Sequence, residues 1–128
     1  LYGSCARMGN INDKLNCLQN RIDQNGHLPL CYRVNLMRSI QDPCIINKIM
    51  LECAKKAYMV WQEDYPGDTI LADILHRCNA YLYQNKHDKH AFRSLADKNI
   101  NYVEAGTDHS NNAGISIIAL CYSIKYLK

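Results

Sequence analysis

No apolar stretch in this 128-residue chain approaches the roughly 20 residues that a bilayer-spanning helix needs, so no membrane partner is expected. Strong charge of one sign is missing too. The formal net charge is +3, and both halves of the chain share it. So mild and unclustered an excess gives little electrostatic reason to expect nucleic acid as a partner. Catalytic signatures are equally scarce. There is no Gly-x-Ser-x-Gly elbow and no glycine-rich loop to cradle phosphate. No two cysteines stand in a CxxC or CxC arrangement, and none sits in a cluster of His or Lys that would depress its pKa. The close Arg-to-His pairing of some ribonucleases is missing, because Arg77 and His87 stand too far apart. These gaps point away from an enzyme. Internal repeats, low-complexity runs and useful β-alternation are absent as well. A single Phe beside abundant Asn, Lys, Ile and Tyr fits an AT-rich genome and carries no functional meaning.

What remains describes a compact helical protein. The length predicts one domain over residues 1–128, able to bury about two-thirds of its unfolded surface. Seven cysteines stand at positions 5, 17, 31, 44, 53, 78 and 121, an odd number. Cys53, Cys78 and Cys121 fall on apolar stripes, where a thiol behaves as a small hydrophobe. The expectation is therefore mostly reduced, core-filling cysteines in a reducing compartment. The chain opens on Leu1 rather than Met, as if an upstream segment had been trimmed.

Helical periodicity dominates the chain. Residues 1–9, broken by Gly3 and Gly9, read as a turn of helix or a loosely docked N-terminal arm. Asn10 is a good N-cap for a helix carrying Ile11, Leu15, Leu18 and Ile22 on one face, closed by Asn25-Gly26. A shorter helix over about 31–40 should turn Leu30, Val34 and Met37 inward and Arg33 and Arg38 outward. Asp42-Pro43 is the strongest helix start, and the helix it opens should run to Gln62 or Glu63. Ile49, Cys53, Ala57 and Val60/Trp61 mark its inner face. Tyr65-Pro66-Gly67-Asp68 breaks the pattern: Pro removes an N–H, Gly permits positive φ, and Asp68 or Thr69 can cap a new helix. That helix, 69–84, carries Leu71, Ile74/Leu75, Cys78 and Leu82. Asp88 can cap a helix with Ala91, Leu95, Ala96, Ile100 and Val103, and Gly106 closes it. Thr107 to Asn111 then offers caps for a last helix with Ile115, Ile118/Ala119, Tyr122 and Tyr126. The fold class expected is all-α: a compact bundle of five to six helices, up-and-down neighbours joined by short loops.

Two clusters invite a functional reading. His87-Asp88-Lys89-His90, with His76 upstream and Asp97 or Asp108 downstream, faintly resembles the ligand set of helical metal-dependent phosphohydrolases, which activate a water beside a phosphate. Against that, Asp88 already has a capping role and His76 stands at the wrong separation, so neither metal nor cofactor is expected. The second cluster is the acidic turn. Glu63, Asp64 and Asp68 crowd beside Trp61 and Tyr65 in a slightly basic protein. Glu63 and Asp64 fall at a helix C-terminus, where the dipole disfavours anions. Local stability does not account for them, which points to a partner with basic character. Trp61 should anchor the turn to the core and leave Tyr65 facing outward.

From about residue 47 to 127 the chain resembles the fifth family of bacterial polymorphic-toxin immunity proteins, small helical proteins encoded beside secreted toxins. The likeness is carried by Glu52-Cys53-Ala54 through Tyr65-Pro66-Gly67-Asp68, then by Ala91, Ala96, Ala105, Asn112-Ala113 and Ala119. The Arg-Pro that usually comes after the Asp is Thr69-Ile70 here, and the first 45 residues add nothing to the likeness. The resemblance implies a cytoplasmic, non-enzymatic immunity protein that occludes the active site of a cognate toxin. Glu63, Asp64, Tyr65 and Asp68 are the candidate partner-binding residues. Two alternatives stand beside this reading: a metal-dependent hydrolase using His76, His87, Asp88 and His90, and a self-associating helical scaffold.

Overall fold

The computed structural model describes residues 11–24, 28–86, 88–125 and 127. Among them are six helices and no strand: α1 (Ile11–Gln19), α2 (Leu30–Ser39), α3 (Pro43–Asp64), α4 (Ile70–Gln84), α5 (Ala91–Glu104) and α6 (Asp108–Lys125). The all-α expectation holds. The chain groups into two compact units, Leu1–Asp42 and Pro43–Lys128.

In the first unit Leu18 and Tyr32 are buried, with Cys17, Leu28 and Leu36 half-buried against them. The Arg21 guanidinium lies 5.7 Å from the centre of the Tyr32 ring. Helix α1 stops at Gln19, short of the expected Asn25-Gly26, which lies outside the described residues, as do Asn10 and the arm 1–9. Ile22 falls beyond the end of the helix and Leu15 within it, and both stay about half exposed. Arg33 and Arg38 point outward as expected. Leu30 does not turn inward: it opens α2 and is 65% exposed, while Tyr32 takes the buried place. Cys31 is a free, exposed thiol. Cys17 is disulfide-bonded, which corrects the reduced reading at that position.

The second unit is built around α6. This helix packs against α3, α4 and α5, and Ile117, Ile118, Leu120, Cys121 and Ile124 are fully buried on it. The expected stripe holds in part: Ile118 is buried and Tyr122 half-buried, whereas Ile115 and Ala119 face solvent and Tyr126 lies outside the described residues. A helix packed against three others buries more than one face, so apolar residues spread around it and its sequence carries only a weak amphipathic period. On α3 Trp61 is buried and Ile49, Ala57 and Val60 are half-buried on the expected face, but Asn47, Leu51 and Ala54 beside it are the other buried residues, and Cys53 is exposed. The confusing residue is Asn47. It tolerates burial because its side-chain amide donates to the Pro43 carbonyl one turn back, at 2.9 Å.

Helix α4 buries the stripe its spacing predicts: Leu71, Ile74, Leu75, Cys78 and Leu82. It ends on Asn85 at φ 53°, the left-handed cap that Asn tolerates, and the Lys86 N–H returns to the Ala80 carbonyl at 3.1 Å. On α5, Ala96 and Val103 are buried as expected, but Phe92 rather than Ala91 fills the first turn of the core face. Phe92 packs edge-on to Tyr81 with ring centres 5.5 Å apart. Cys78 and Cys121 are both buried free thiols. The neighbouring Cys121 thiol, together with burial, pushes the Cys78 thiol up from its usual range, so it stays protonated.

Candidate functional site

The acidic turn is held from below by Trp61, which is 1% exposed. Its indole stacks with Tyr65 at 4.6 Å and Tyr102 at 5.6 Å between ring centres. Two glycines make room for it. A Cβ on Gly106 would stand 2.9 Å from the indole, and one on Gly114 would stand 2.7 Å from Val103 and 2.9 Å from the indole. Trp61 does anchor the turn. Tyr65, however, is only partly exposed and does not simply face out: its hydroxyl accepts the Thr107 N–H at 3.0 Å.

Asp68 is the hub of the turn. One carboxylate oxygen accepts the Tyr102 hydroxyl at 2.7 Å; the other accepts the Tyr58 hydroxyl at 2.9 Å and the Leu71 N–H at 3.1 Å. The Ala72 N–H adds a longer contact of 3.3 Å. Asp68 therefore caps α4 as expected and also ties α3 and α5 to its start. Burial opposes its ionisation, but the two hydroxyls and two amides outweigh burial and hold the carboxyl below the usual carboxylate range. Burial and the Asp68 carboxylate together push the Tyr58 and Tyr102 hydroxyls up to about 12. Gly67 has open space around its Cα and no left-handed φ, so the turn does not use the freedom its glycine offers.

Asp64 sits at the C-terminal end of α3, but its carboxylate meets the N-terminal end of α6. The Thr107 hydroxyl donates to it at 2.5 Å, and the same hydroxyl oxygen accepts the Ser110 N–H at 3.3 Å as the α6 cap. The Thr107 hydroxyl holds the Asp64 carboxyl below its usual value; desolvation opposes it, and Ser110 and His109 add to the lowering. Glu63 meets His109 at 3.1 Å, both side chains well exposed. The premise that local stability leaves these two acids unexplained is thus corrected. The dipole they oppose on α3 is offset by the one they face on α6.

Sequence reading missed that the α5–α6 connection shares this end of the unit. Segments 61–68 and 101–111, stitched together by the Thr107 and Asp68 contacts, carry Glu63, Asp64, Asp68, Glu104 and Asp108 and no Lys or Arg. Charge counted along the chain hides this, because the two segments stand about 40 residues apart. All but Asp68 are exposed. The end can therefore present a negative field over a rigid, aromatic-backed base. No group on it is arranged as nucleophile and base.

The histidine set does not assemble. His76 is exposed midway along α4, Asp88 and His90 are exposed in the α4–α5 connection, and His87 lies outside the described residues. Asp88 accepts the His90 N–H at 3.0 Å, a turn contact rather than a ligand geometry. Among the described residues no three His, Cys, Asp or Glu side chains come together in a way that could hold a metal. Nor is any helix among them long and apolar enough to cross a membrane.

No curated protein and no solved structure matches this chain. The profile described as immunity protein Imm5 matches residues 15–126. That span takes in most of the first 45 residues, where the sequence alone showed no likeness, and it crosses both compact units. With the match covering most of the chain, this helical protein belongs to the Imm5 immunity protein family.

Proposed function

We propose that the chain is a non-catalytic immunity protein that binds and neutralises a cognate secreted toxin in the cytoplasm of the cell that makes it. Membership of the immunity family carries this reading. The proposed mechanism is occlusion: a rigid helical surface covers the toxin's active site or substrate groove. The acidic end is the proposed contact. Glu63 and Asp64 meet basic groups of the toxin, Tyr65 lends an aromatic edge, and Asp68 acts from beneath by holding the turn in shape. Charge complementarity of this kind speeds association and sets specificity. Toxins that act on nucleic acids present basic grooves, which an acidic end suits.

The test uses the toxin whose gene adjoins that of this chain, purified as an inactive variant. Binding by the wild-type chain, and rescue of cells expressing the active toxin, are the expected results. Glu63→Lys with Glu104→Lys should weaken binding at least about 10-fold, or about 1.4 kcal/mol. Failure of the wild-type chain to bind or protect would sink the reading. Undiminished binding by the folded double variant would move the contact to another surface.

A further inference from the structure

Helices α4 and α5 both pack on α6 and are tied to each other near both of their ends. At one end the Tyr81 and Phe92 rings meet. At the other the Tyr102 hydroxyl reaches Asp68, just before α4 begins. Between these two ties lies an open crevice of about 440 Å³. That volume is within the range of pockets that hold small ligands or an anchoring side chain, roughly 300–1,000 Å³. Ile70, Ile74 and Leu95 give it an apolar lining; Thr69 and Asn99 are its polar edges. Ile70 is 39% exposed at the lip, where an incoming apolar group can reach it.

Charge is graded along the crevice. Thr69 comes directly after Asp68, so one mouth opens onto the acidic end. Arg77 stands about two helical turns along α4 from Thr69, beyond Asp73, and Lys98 about one turn along α5 from Tyr102, roughly 12 and 6 Å at 1.5 Å per residue. Arg77 is held at the rim by Asp73 at 2.9 Å. We propose that this crevice is the anchor pocket for the toxin: an apolar side chain inserts between α4 and α5, with basic neighbours over the acidic mouth and an acidic neighbour beside Lys98. The proposal rests on the immunity reading above and adds which part of the surface supplies the anchor. The two ties make the pocket preorganised, so little ordering entropy opposes insertion. An apolar anchor in a desolvated pocket, ringed by charges that fix direction, is the arrangement in which a few residues dominate binding.

Two single variants, Ile70→Glu and Lys98→Glu, test this against the inactive form of the toxin whose gene adjoins that of this chain. Both positions are exposed enough for the fold to be kept, and helical circular dichroism and thermal melting check it. The expected result is a loss of at least about 10-fold in affinity for Ile70→Glu. A smaller loss is expected for Lys98→Glu, and an acidic-to-lysine change on the toxin should restore it. Wild-type binding with both folded variants within twofold of it would overturn the crevice and leave the acidic end as the contact. Absence of wild-type binding would overturn the immunity reading itself, and the crevice proposal with it.

Discussion

Asp68 carries more of the structure than any other polar side chain in the turn. Truncating it removes the cap of α4, worth about 0.5–2 kcal/mol, and deprives two partly buried tyrosine hydroxyls of their acceptor, each bond contributing about 0.5–1.5 kcal/mol. Asp68→Ala should therefore cost about 2–4 kcal/mol in urea unfolding, well above the usual surface change. Its pH signature has the same origin. The Asp68 pKa is lowered on folding, so its stabilisation is present above the unfolded value near 3.9 and is lost as pH falls through the folded one. Tyr58 and Tyr102 are raised to about 12, so their contribution holds below about pH 10 and is lost as pH climbs towards 12. Tyr58→Phe with Tyr102→Phe should flatten the alkaline loss; an unchanged alkaline profile would mean that other groups set it. The glycines make a sharper contrast. Gly114→Ala drives a Cβ to 2.7 Å from Val103 and should cost about 1–3 kcal/mol, whereas Gly67→Ala meets nothing within 4 Å and should lie within about 1 kcal/mol of wild type. Equal melting temperatures for the two variants would contradict the packing around Trp61.

Connections rather than helix faces set the character of the acidic end. The turn after α3 and the start of α6 exchange hydrogen bonds through Asp64, Tyr65 and Thr107, so each closes the other's helix end. Thr107→Val keeps the side-chain shape but removes the hydroxyl that caps α6 and donates to Asp64. It should cost about 1–2 kcal/mol by denaturant unfolding, as the loss of a cap does. A cost near zero would show that the two connections are not mutually braced. The same contact makes Asp64 a poor probe of binding, because changing it disturbs the fold. Glu63 and Glu104 are exposed and are the better choices. The cysteines divide by element as well: Cys31 and Cys53 are exposed, whereas Cys78 and Cys121 are sealed between α4 and α6. Unfolded without reductant, the protein should titrate five thiols, and folded it should show two reacting fast. Seven thiols on unfolding would remove the Cys17 disulfide.

At the largest scale, the consequence is a chain of net charge +3 in which two linked segments of the second unit, 61–68 and 101–111, carry five carboxylates and no Lys or Arg. If these segments steer a basic toxin, the association rate should fall as salt rises from 0.01 to 0.15 M, over which the screening length shrinks from about 30 to about 8 Å. Stopped-flow mixing measures this, and a salt-independent rate would place the contact away from the acids. Much of the helical framework could be read directly. Asp42-Pro43, the break at Tyr65-Pro66-Gly67-Asp68 and the α4 stripe from Leu71 to Leu82 are local signals, because capping and the 3.6-residue period act within a few turns. Where a helix buried more than one face, as α6 did, or hid a polar residue, as α3 did with Asn47, that period only partly marked the core. The acidic turn was legible as a cluster of charges, and its likeness to an immunity family was visible over the second half of the chain. That Asp68 is an internal brace, that Asp64 faces the positive end of α6, and that Glu104 and Asp108 join them depended on contacts between residues some 34 to 43 apart. Such contacts leave no mark on neighbouring positions, so only packing around Trp61 could decide them.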